Sequence, residues 1–593
     1  MTHPLNYYQK RLDEGNLLLA KYRNQSLLLS TARLLSFLLA ATLGYYAIRQ
    51  QAGTMAIPAF IAFLLFGYLL SRALQLREKT NLLQKQLLIN RNELQLLSGG
   101  SNSLPGVISD LEMAEANDLD LFGPHSLFDM IRRTATIHGQ QKLAEVLLAP
   151  STDPSDIKLR QKAVAQLSTQ PGIREDMLAL ALLHGEKEGN LDSLKDWLLE
   201  GDQLSDKKWV SFILWILPVI NISLLAWYIH SGQIGPLLWG AAASWLITGL
   251  YLKYINHQQV LLGKKTAILD QYAAILNRFK QVNTGDSTIL KELQKECFES
   301  GKAFQRLSRL SARLDQRLNM LMGFFLNTFL LHDLHCMVAL EKWRRQYRSD
   351  YQKWVHTVAE IEYLNSLAFF AFNNPDYIYP TLLQSENLQI KAVGLGHPLI
   401  PAGQRVVNDI SIGLPQKLML ITGSNMSGKT TFLRTVGINI ILAQAGAPVP
   451  AKSLAFTPVR VLSSIRISDS LQEHTSYFMA ELMKLRAMID VLEKGVPCLI
   501  LIDEILRGTN SDDKTHGSEL FIRKLLKYNC LTLFATHDLV LSQLETSLPG
   551  QVSNACFESI IQDNELQFDY KLHEGVAQNK NASFLMKKMG IIE

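Results

Sequence analysis

Three windows of the chain contain no Asp, Glu, Lys or Arg: residues 34–48, 50–71 and 209–252. Charged side chains cover most soluble surfaces, so runs this long demand a deep core or a lipid environment. The window 209–252 is about twice the ~20 residues that a helix needs to cross a hydrocarbon core. Its middle, His230-Ser231-Gly232-Gln233-Ile234-Gly235-Pro236, has turn chemistry. A helical hairpin is expected, roughly 210–229 and 236–252. Five of the eight tryptophans lie in this window, and Trp209 and Trp227 fall near the first helix's ends, as interfacial anchors do. The competing reading is a buried soluble hairpin, which the length of the window disfavours.

The first two windows predict another hairpin, about 30–48 and 52–71. Gln50–Ser71 is long enough alone. Leu34–Ile48 is short, but Arg33 can snorkel and the helix can extend toward Leu27. A cleaved signal peptide fits poorly, because about thirty largely polar residues precede the apolar run and a second span follows. Lys21, Arg23 and Arg33 precede this pair, and Arg72, Arg77, Lys79 and Lys85 follow it; its loop holds only Arg49. Lys207 and Lys208 precede the second pair, Lys253, Lys264 and Lys265 follow it, and its loop has none. Basic flanks stay on the cytoplasmic side. The expectation is a multi-pass protein of the cell (inner or cytoplasmic) membrane, with its N-terminus and remaining mass cytoplasmic.

Over the whole chain 19% of residues are charged, below the ~25% of ordinary globular proteins. Outside the three windows the fraction is close to ordinary. The chain therefore reads as a soluble protein carrying membrane segments, and long disorder is excluded. Five cysteines, none in a C-x-x-C pair, suggest neither a disulfide framework nor a cysteine zinc site. A net charge of +5 is weak evidence for a nucleic-acid partner.

Between the hairpins, helical patterns are interrupted at Ser98-Gly-Gly-Ser-Asn-Ser and Leu148-Ala-Pro-Ser-Thr-Asp-Pro. Helical periodicity returns from Tyr254 to about Phe372. Gln305–Arg317 is basic and amphipathic, with Arg306, Arg309, Arg313 and Arg317; residues 341–353 are also charge-dense. Solvated helix faces are the plain reading and a nucleic-acid surface the sharper one. Near residue 390 the pattern changes to short apolar strands (Leu418–Thr422, Cys498–Ile502, Leu531–Phe534) alternating with helices. This is an α/β unit with a mostly parallel sheet.

The first of these strands runs into Gly423-Ser424-Asn425-Met426-Ser427-Gly428-Lys429-Thr430-Thr431 and then an apolar helix. That is G-x-x-x-x-G-K-[ST] in its required strand–loop–helix setting. Its glycines let backbone N–H groups wrap phosphates at a helix N-terminus. Lys429 is placed to reach the β- and γ-phosphates, and Thr430 to ligate Mg²⁺. The second strand ends in Asp503-Glu504. Asp503 suits the Mg²⁺ shell, and Glu504 suits a base that polarises the attacking water. The third ends Leu533-Phe-Ala-Thr-His537, where a histidine at the carboxyl edge can sense the γ-phosphate.

Together these residues resemble the MutS mismatch-repair family, within the ABC-type ATPases. Thr422–Thr431 is similar to its TGPNMGGKS loop, Asp503-Glu-Ile-Leu-Arg507-Gly508-Thr509-Asn510 to DEIGRGTS, and Phe534-Ala-Thr-His537 to FATH. Gly396-His-Pro-Leu resembles the segment opening its ATPase domain. Ser468–Glu481 resembles SDDLxxGxSTFMxEM, with Glu473-His474 and Thr475 where the family has a glycine pair and a basic residue. Upstream, Ser126–Gly139 and Leu147–Val164 resemble the helical core and lever, and Glu360–Ala368 the helix returning to the ATPase. The resemblance implies ATP and Mg²⁺ as ligands and a homodimer, with Ser476 of one copy meeting nucleotide on Lys429, Thr430 and Asp503 of the other. It implies that Asn425 contacts the γ-phosphate and that Glu504, His537 and Lys429 act in hydrolysis. No mismatch-reading domain or Phe-x-Glu wedge is found, and the second hairpin falls where the family inserts its DNA clamp.

The organisation expected is an ABC-type α/β ATPase domain, an all-α core and lever, and four transmembrane helices in two hairpins. Its divisions are 1–95, with the first hairpin; 96–208, helical; 209–253, the second hairpin; 254–385, helical; and 386–593, the ATPase. Three functions compete. One is a membrane-anchored ATPase that still binds mismatched or structured DNA. Another is a nucleotide-driven dimerisation switch acting on a membrane or an unknown protein partner, without DNA. The third is a transporter, weakened by few spans and the lack of an LSGGQ segment.

Overall fold

The computed structural model describes residues 3–49, 53–106, 118–183, 192–263, 265–385, 387–424, 426–465, 477–506, 510–562, 565–578 and 592. The chain opens with two long antiparallel helices, Pro4–Arg49 and Gly53–Leu97, of 46 and 45 residues. At 1.5 Å per residue each reaches about 70 Å. The charge-free windows occupy only their distal halves. Helix continues past the apolar limit because the polar halves pair with each other and with the body. Leu12, Leu83 and Leu87 form a small core between them. Tyr8 donates to Asn373 at 2.8 Å, Arg11 pairs with Glu175 at 3.2 Å, and buried Glu93 pairs with Arg133 at 2.8 Å.

The second hairpin is Lys208–Ser231 and Gly235–Leu250, joined through Gly232 at φ 72°. Its seam is polar and small. Gly240, Ser244 and Thr248 recur at every fourth position and are buried, the first two against buried Asn221. A Cβ on Gly240 would collide with Asn221 Oδ1. The outer surface is apolar, with Trp215 76% and Trp239 78% exposed. A hairpin buried in a soluble core is thereby excluded. Among the described residues three helices are long and apolar enough to cross a membrane: Pro4–Arg49, Thr54–Leu97 and Lys208–Ser231. Gly235–Leu250, expected as a fourth span, has 16 residues, about 24 Å against a core of ~30 Å.

The helical body packs around Trp197, Trp343, Phe304 and Tyr272. Residues 341–353, read above as charge-dense, keep most of their charges exposed, but two of them are buried in the body. Glu341 is buried and accepts from the amides of Gln203, Leu204 and Ser205. Arg344 is buried against Asp202 at 2.8 Å and over Trp197. Arg345 pairs with Asp202, and Lys353 with Glu296. Arg306, Arg309 and Arg313 remain on one exposed face of the helix Thr288–Asp315. All five cysteines are buried and free.

Glu362, on the helix Tyr351–Asn373, ties two distant segments. Its carboxylate accepts from the amides of Ala135 (2.8 Å) and Thr136 (3.2 Å) and from the Thr136 hydroxyl, which caps the helix Ile137–Leu148. Gly139 gives this carboxylate room: a Cβ there would overlap Glu362 Oε2. Gly139→Ala is therefore expected to cost about 2 kcal/mol or more, by overpacking a buried charge. Thermal unfolding of the purified variant checks this, and an unchanged midpoint refutes it.

The C-terminal unit holds two sheets. The smaller has the order β1-β5-β2-β3: Thr381–Leu382 (β1), Gln389–Leu395 (β2), Asn408–Gly413 (β3) and Ser453–Phe456 (β5). The larger has the order β10-β9-β4-β8-β7-β6: Leu418–Gly423 (β4), Arg460–Ser464 (β6), Cys498–Asp503 (β7), Cys530–Thr536 (β8), Val552–Gln562 (β9) and Glu565–Glu574 (β10). All its neighbours are parallel except β9 with β10. The three strands expected from sequence lie side by side as β4-β8-β7, so their carboxyl ends open onto one edge.

Candidate nucleotide site

β4 is buried along its length and ends at Gly423, φ 151°. The chain then loops to Gly428, φ 109°, which precedes the helix Lys429–Ala445. A side chain at either glycine would be strained. At Gly423 a Cβ would also come within 2.7 Å of Phe557 O. Lys429 is almost wholly buried. Its ammonium donates to Gly423 O and Ser424 O, each at 2.8 Å, and lies 3.4 Å from His537 Nε2. Ser427 Oγ donates to Ser424 O at 2.8 Å, while Met426, at φ 68°, faces solvent. Thr431 is exposed on the first helical turn.

Thr430 Oγ1 donates to Asp503 Oδ2 at 2.6 Å. The two residues read as Mg²⁺ ligands are thus brought into contact from the first turn of the helix Lys429–Ala445 and the end of β7. Two oxygen donors, with phosphate and water supplying the rest, suit a small hard cation that keeps several waters. Glu504 follows at φ 56°, its amide donating to Ala535 O at 2.9 Å. Its carboxylate pairs with Lys514, on the helix Ser511–Leu525. His537 leaves β8 beside Lys429. Burial first, and the Lys429 charge second, hold its imidazole below the ordinary histidine range. It is therefore neutral at pH 7.

Asn425, Ser476 and Arg507-Gly508-Thr509 lie outside the described residues, as does most of Ser468–Glu481. Its last residues are described and connect to the site. Glu481, buried on the helix Tyr477–Glu493, accepts from the Leu506 amide at 2.8 Å, just beyond Asp503-Glu504. Lys484, one turn on, meets buried Asp118 at 2.6 Å. Asp118 also accepts from Ser463 Oγ and the Ile465 amide, each at 3.0 Å. The helical region is thereby fastened to the segment that flanks the site. His397, in Gly396-His-Pro-Leu, is buried and pushed down to about 4 by desolvation.

Sequence reading missed two neighbours of the site. Lys514 is in contact with Glu504 but belongs to none of the motifs. Tyr570, at φ 55° on β10, brings its ring against Gly428. Only an alternation of polar and apolar residues on a late strand marks it.

Residues 419–589 match the sequence model of MutS domain V, and residues 107–194 match that of MutS domain III. The chain belongs to the MutS family. The domain V match runs from Met419 in β4 through β10 and covers the phosphate loop, Asp503, Glu504 and His537. The domain III match covers the helices from Leu127 to Leu183, with Arg133 and Thr136 in the connection between the first two and Glu175 on the last. The helix after the phosphate loop ends at Gly446 against Arg160 of this MutS-type core, and Tyr363 donates to Ala445 O. The helix that begins at the phosphate loop therefore meets the helical body at its far end.

Proposed function

We propose that this MutS-family protein is a membrane-anchored ATPase whose two copies close on ATP and transmit that closure to the bilayer. The contact of Thr430 with Asp503, with Lys429, Glu504 and His537 around it, carries the catalytic part. The apolar outer surfaces of both hairpins support the anchoring part. Lysine and arginine placement supports a cytoplasmic ATPase and N-terminus. The nucleotide sits on the loop 423–431, with ATP's charge met by Lys429 and by Mg²⁺ on Thr430 and Asp503. Mg²⁺ supplies charge neutralisation on the phosphates when bound. Ser476 of the second copy completes the site. Glu481 and Asp118 couple the segment around Ser476 to the catalytic loop and to the helical body. The second hairpin takes the place of a DNA clamp.

A second reading, DNA binding, has one observation in its favour: the exposed row Arg306, Arg309 and Arg313. One experiment separates them. The full chain carrying Glu504→Gln, in detergent or nanodiscs, is sized by light scattering with and without ATP and Mg²⁺. An ATP-dependent doubling of mass supports the switch, and a mass indifferent to ATP overturns it. Duplex DNA titrated at several salt concentrations tests the other reading. Three phosphate contacts add about 3 to the salt slope, lost when all three arginines become alanine.

A further inference from the structure

Between the basic helix Thr288–Asp315 and the helix His332–Tyr347 lies an 11-residue helix, Met320–Leu330. Its polarity is inside out. Gly323, Asn327 and Thr328 are its buried residues, while Met320 is 88%, Leu321 73% and Phe325 56% exposed. A helix facing water has the opposite arrangement. Residues 318–332 contain no Asp, Glu, Lys or Arg. An apolar run of this length is too short to span and reads as a core helix or a re-entrant segment. Its exposure removes the first option.

The helix is sealed to the second hairpin by polar contacts. Asn221 Nδ2 donates to Ser244 Oγ at 2.8 Å and to Thr328 O at 2.9 Å. Trp245 Nε1 donates to Thr328 Oγ1 at 3.0 Å, and its ring stacks on Phe324 at 5.7 Å. Asn221 and Ser244 lie within the hairpin, away from its basic ends at Lys207, Lys208 and Lys253. The chain then turns at buried Leu331, φ 49°, and bends 81° into His332–Tyr347. That helix returns to the body through Leu334, Met337 and Trp343. Arg317 and Asp333, on either side of the excursion, pair at 3.0 Å. Entry and exit are thus on one side. Non-helical backbone at membrane depth is tolerated where protein buries it, as at Leu331.

We propose that Met320–Leu330 is a re-entrant membrane helix, with lipid acyl chains as the partner of its exposed face. This rests on the second hairpin being membrane-embedded. It makes that unit three-membered and places the flanking helices of the body, Thr288–Asp315 and His332–Tyr347, directly at the bilayer surface. Neither residues 318–332 nor residues 209–252 carry a charged side chain, which suits acyl chains rather than a soluble protein partner.

The test is spin-label depth measurement on the full chain in phosphatidylcholine vesicles. Labels are placed through Leu321→Cys, Phe325→Cys, Trp215→Cys and Arg306→Cys, all exposed positions whose substitution disturbs no core. Relaxation by oxygen, which partitions into lipid, is compared with relaxation by a water-soluble nickel chelate. Positions 321 and 325 are expected to favour oxygen, as 215 does, while 306 favours nickel. Nickel preference at 321 and 325 with oxygen preference at 215 overturns the re-entrant helix and leaves the anchor standing. Nickel preference at 215 as well overturns the anchor itself.

Discussion

Glu504→Gln is expected to retain ATP and to lose turnover by about 10²–10⁴-fold, the range in which a positioned general base contributes. The substitution keeps shape and removes proton affinity. The backbone that presents Glu504 is independent of the side chain's charge: its amide is held by Ala535 O at 2.9 Å, and the residue sits at φ 56°. A non-glycine residue in that region is held there by its surroundings. The rest of the site, from Lys429 to the Thr430–Asp503 contact, does not depend on the carboxylate. Among the described residues the carboxylate pairs with Lys514. An amide oxygen still accepts from it, so the loop stays in place while the catalytic proton transfer fails. Phosphate release gives the rate, and retention of labelled ATP gives the binding. Turnover within about twofold of the unsubstituted chain would move the base role elsewhere, with neutral His537 the next group in reach.

Glu504 was legible because its chemistry is local. A phosphate loop needs glycines at fixed offsets, and an acidic pair needs an apolar strand to deliver it. β4, β7 and β8 each announced themselves that way, and their adjacency follows from the parallel fold. Lys514 was not legible, because its role arises only when the helix Ser511–Leu525 packs back toward β7. Asp118 reaches Lys484 across most of the chain's length, a contact no spacing encodes. Two of the charges at 341–353, Glu341 and Arg344, were hidden for the same reason. Periodicity shows that Glu341 and Arg344 share a helix, but not that Asp202 and three backbone amides wait beside them. The apolar hairpins were half legible. Absence of charge marked the exposed apolar lengths of both. It did not mark where the helices Pro4–Arg49 and Gly53–Leu97 end, since their polar halves are held by Tyr8, Arg11 and Glu93. The helix Met320–Leu330 escaped notice because a short apolar run looks like core until its exposure is known.

Lys429→Ala is expected to weaken ATP binding by two to three orders of magnitude, about 3–4 kcal/mol, as removal of one partner of a desolvated charge pair does. Lys429 is the cation held inside the loop: Gly423 O and Ser424 O orient its ammonium at 2.8 Å each. Alanine removes the charge and leaves two carbonyl oxygens turned toward the incoming phosphates. Calorimetric titration with ATP and Mg²⁺ measures the loss. A second readout shows that the site persists. The Lys429 charge is one cause, after burial, of the lowered His537 pKa. Removing a neighbouring positive charge favours the protonated imidazole. The His537 titration followed by NMR should therefore move upward in Lys429→Ala, remaining below the ordinary range because burial is unchanged. An unshifted His537 together with lost binding would mean that the loop had rearranged. Unaltered ATP affinity would remove Lys429 from the phosphate site altogether.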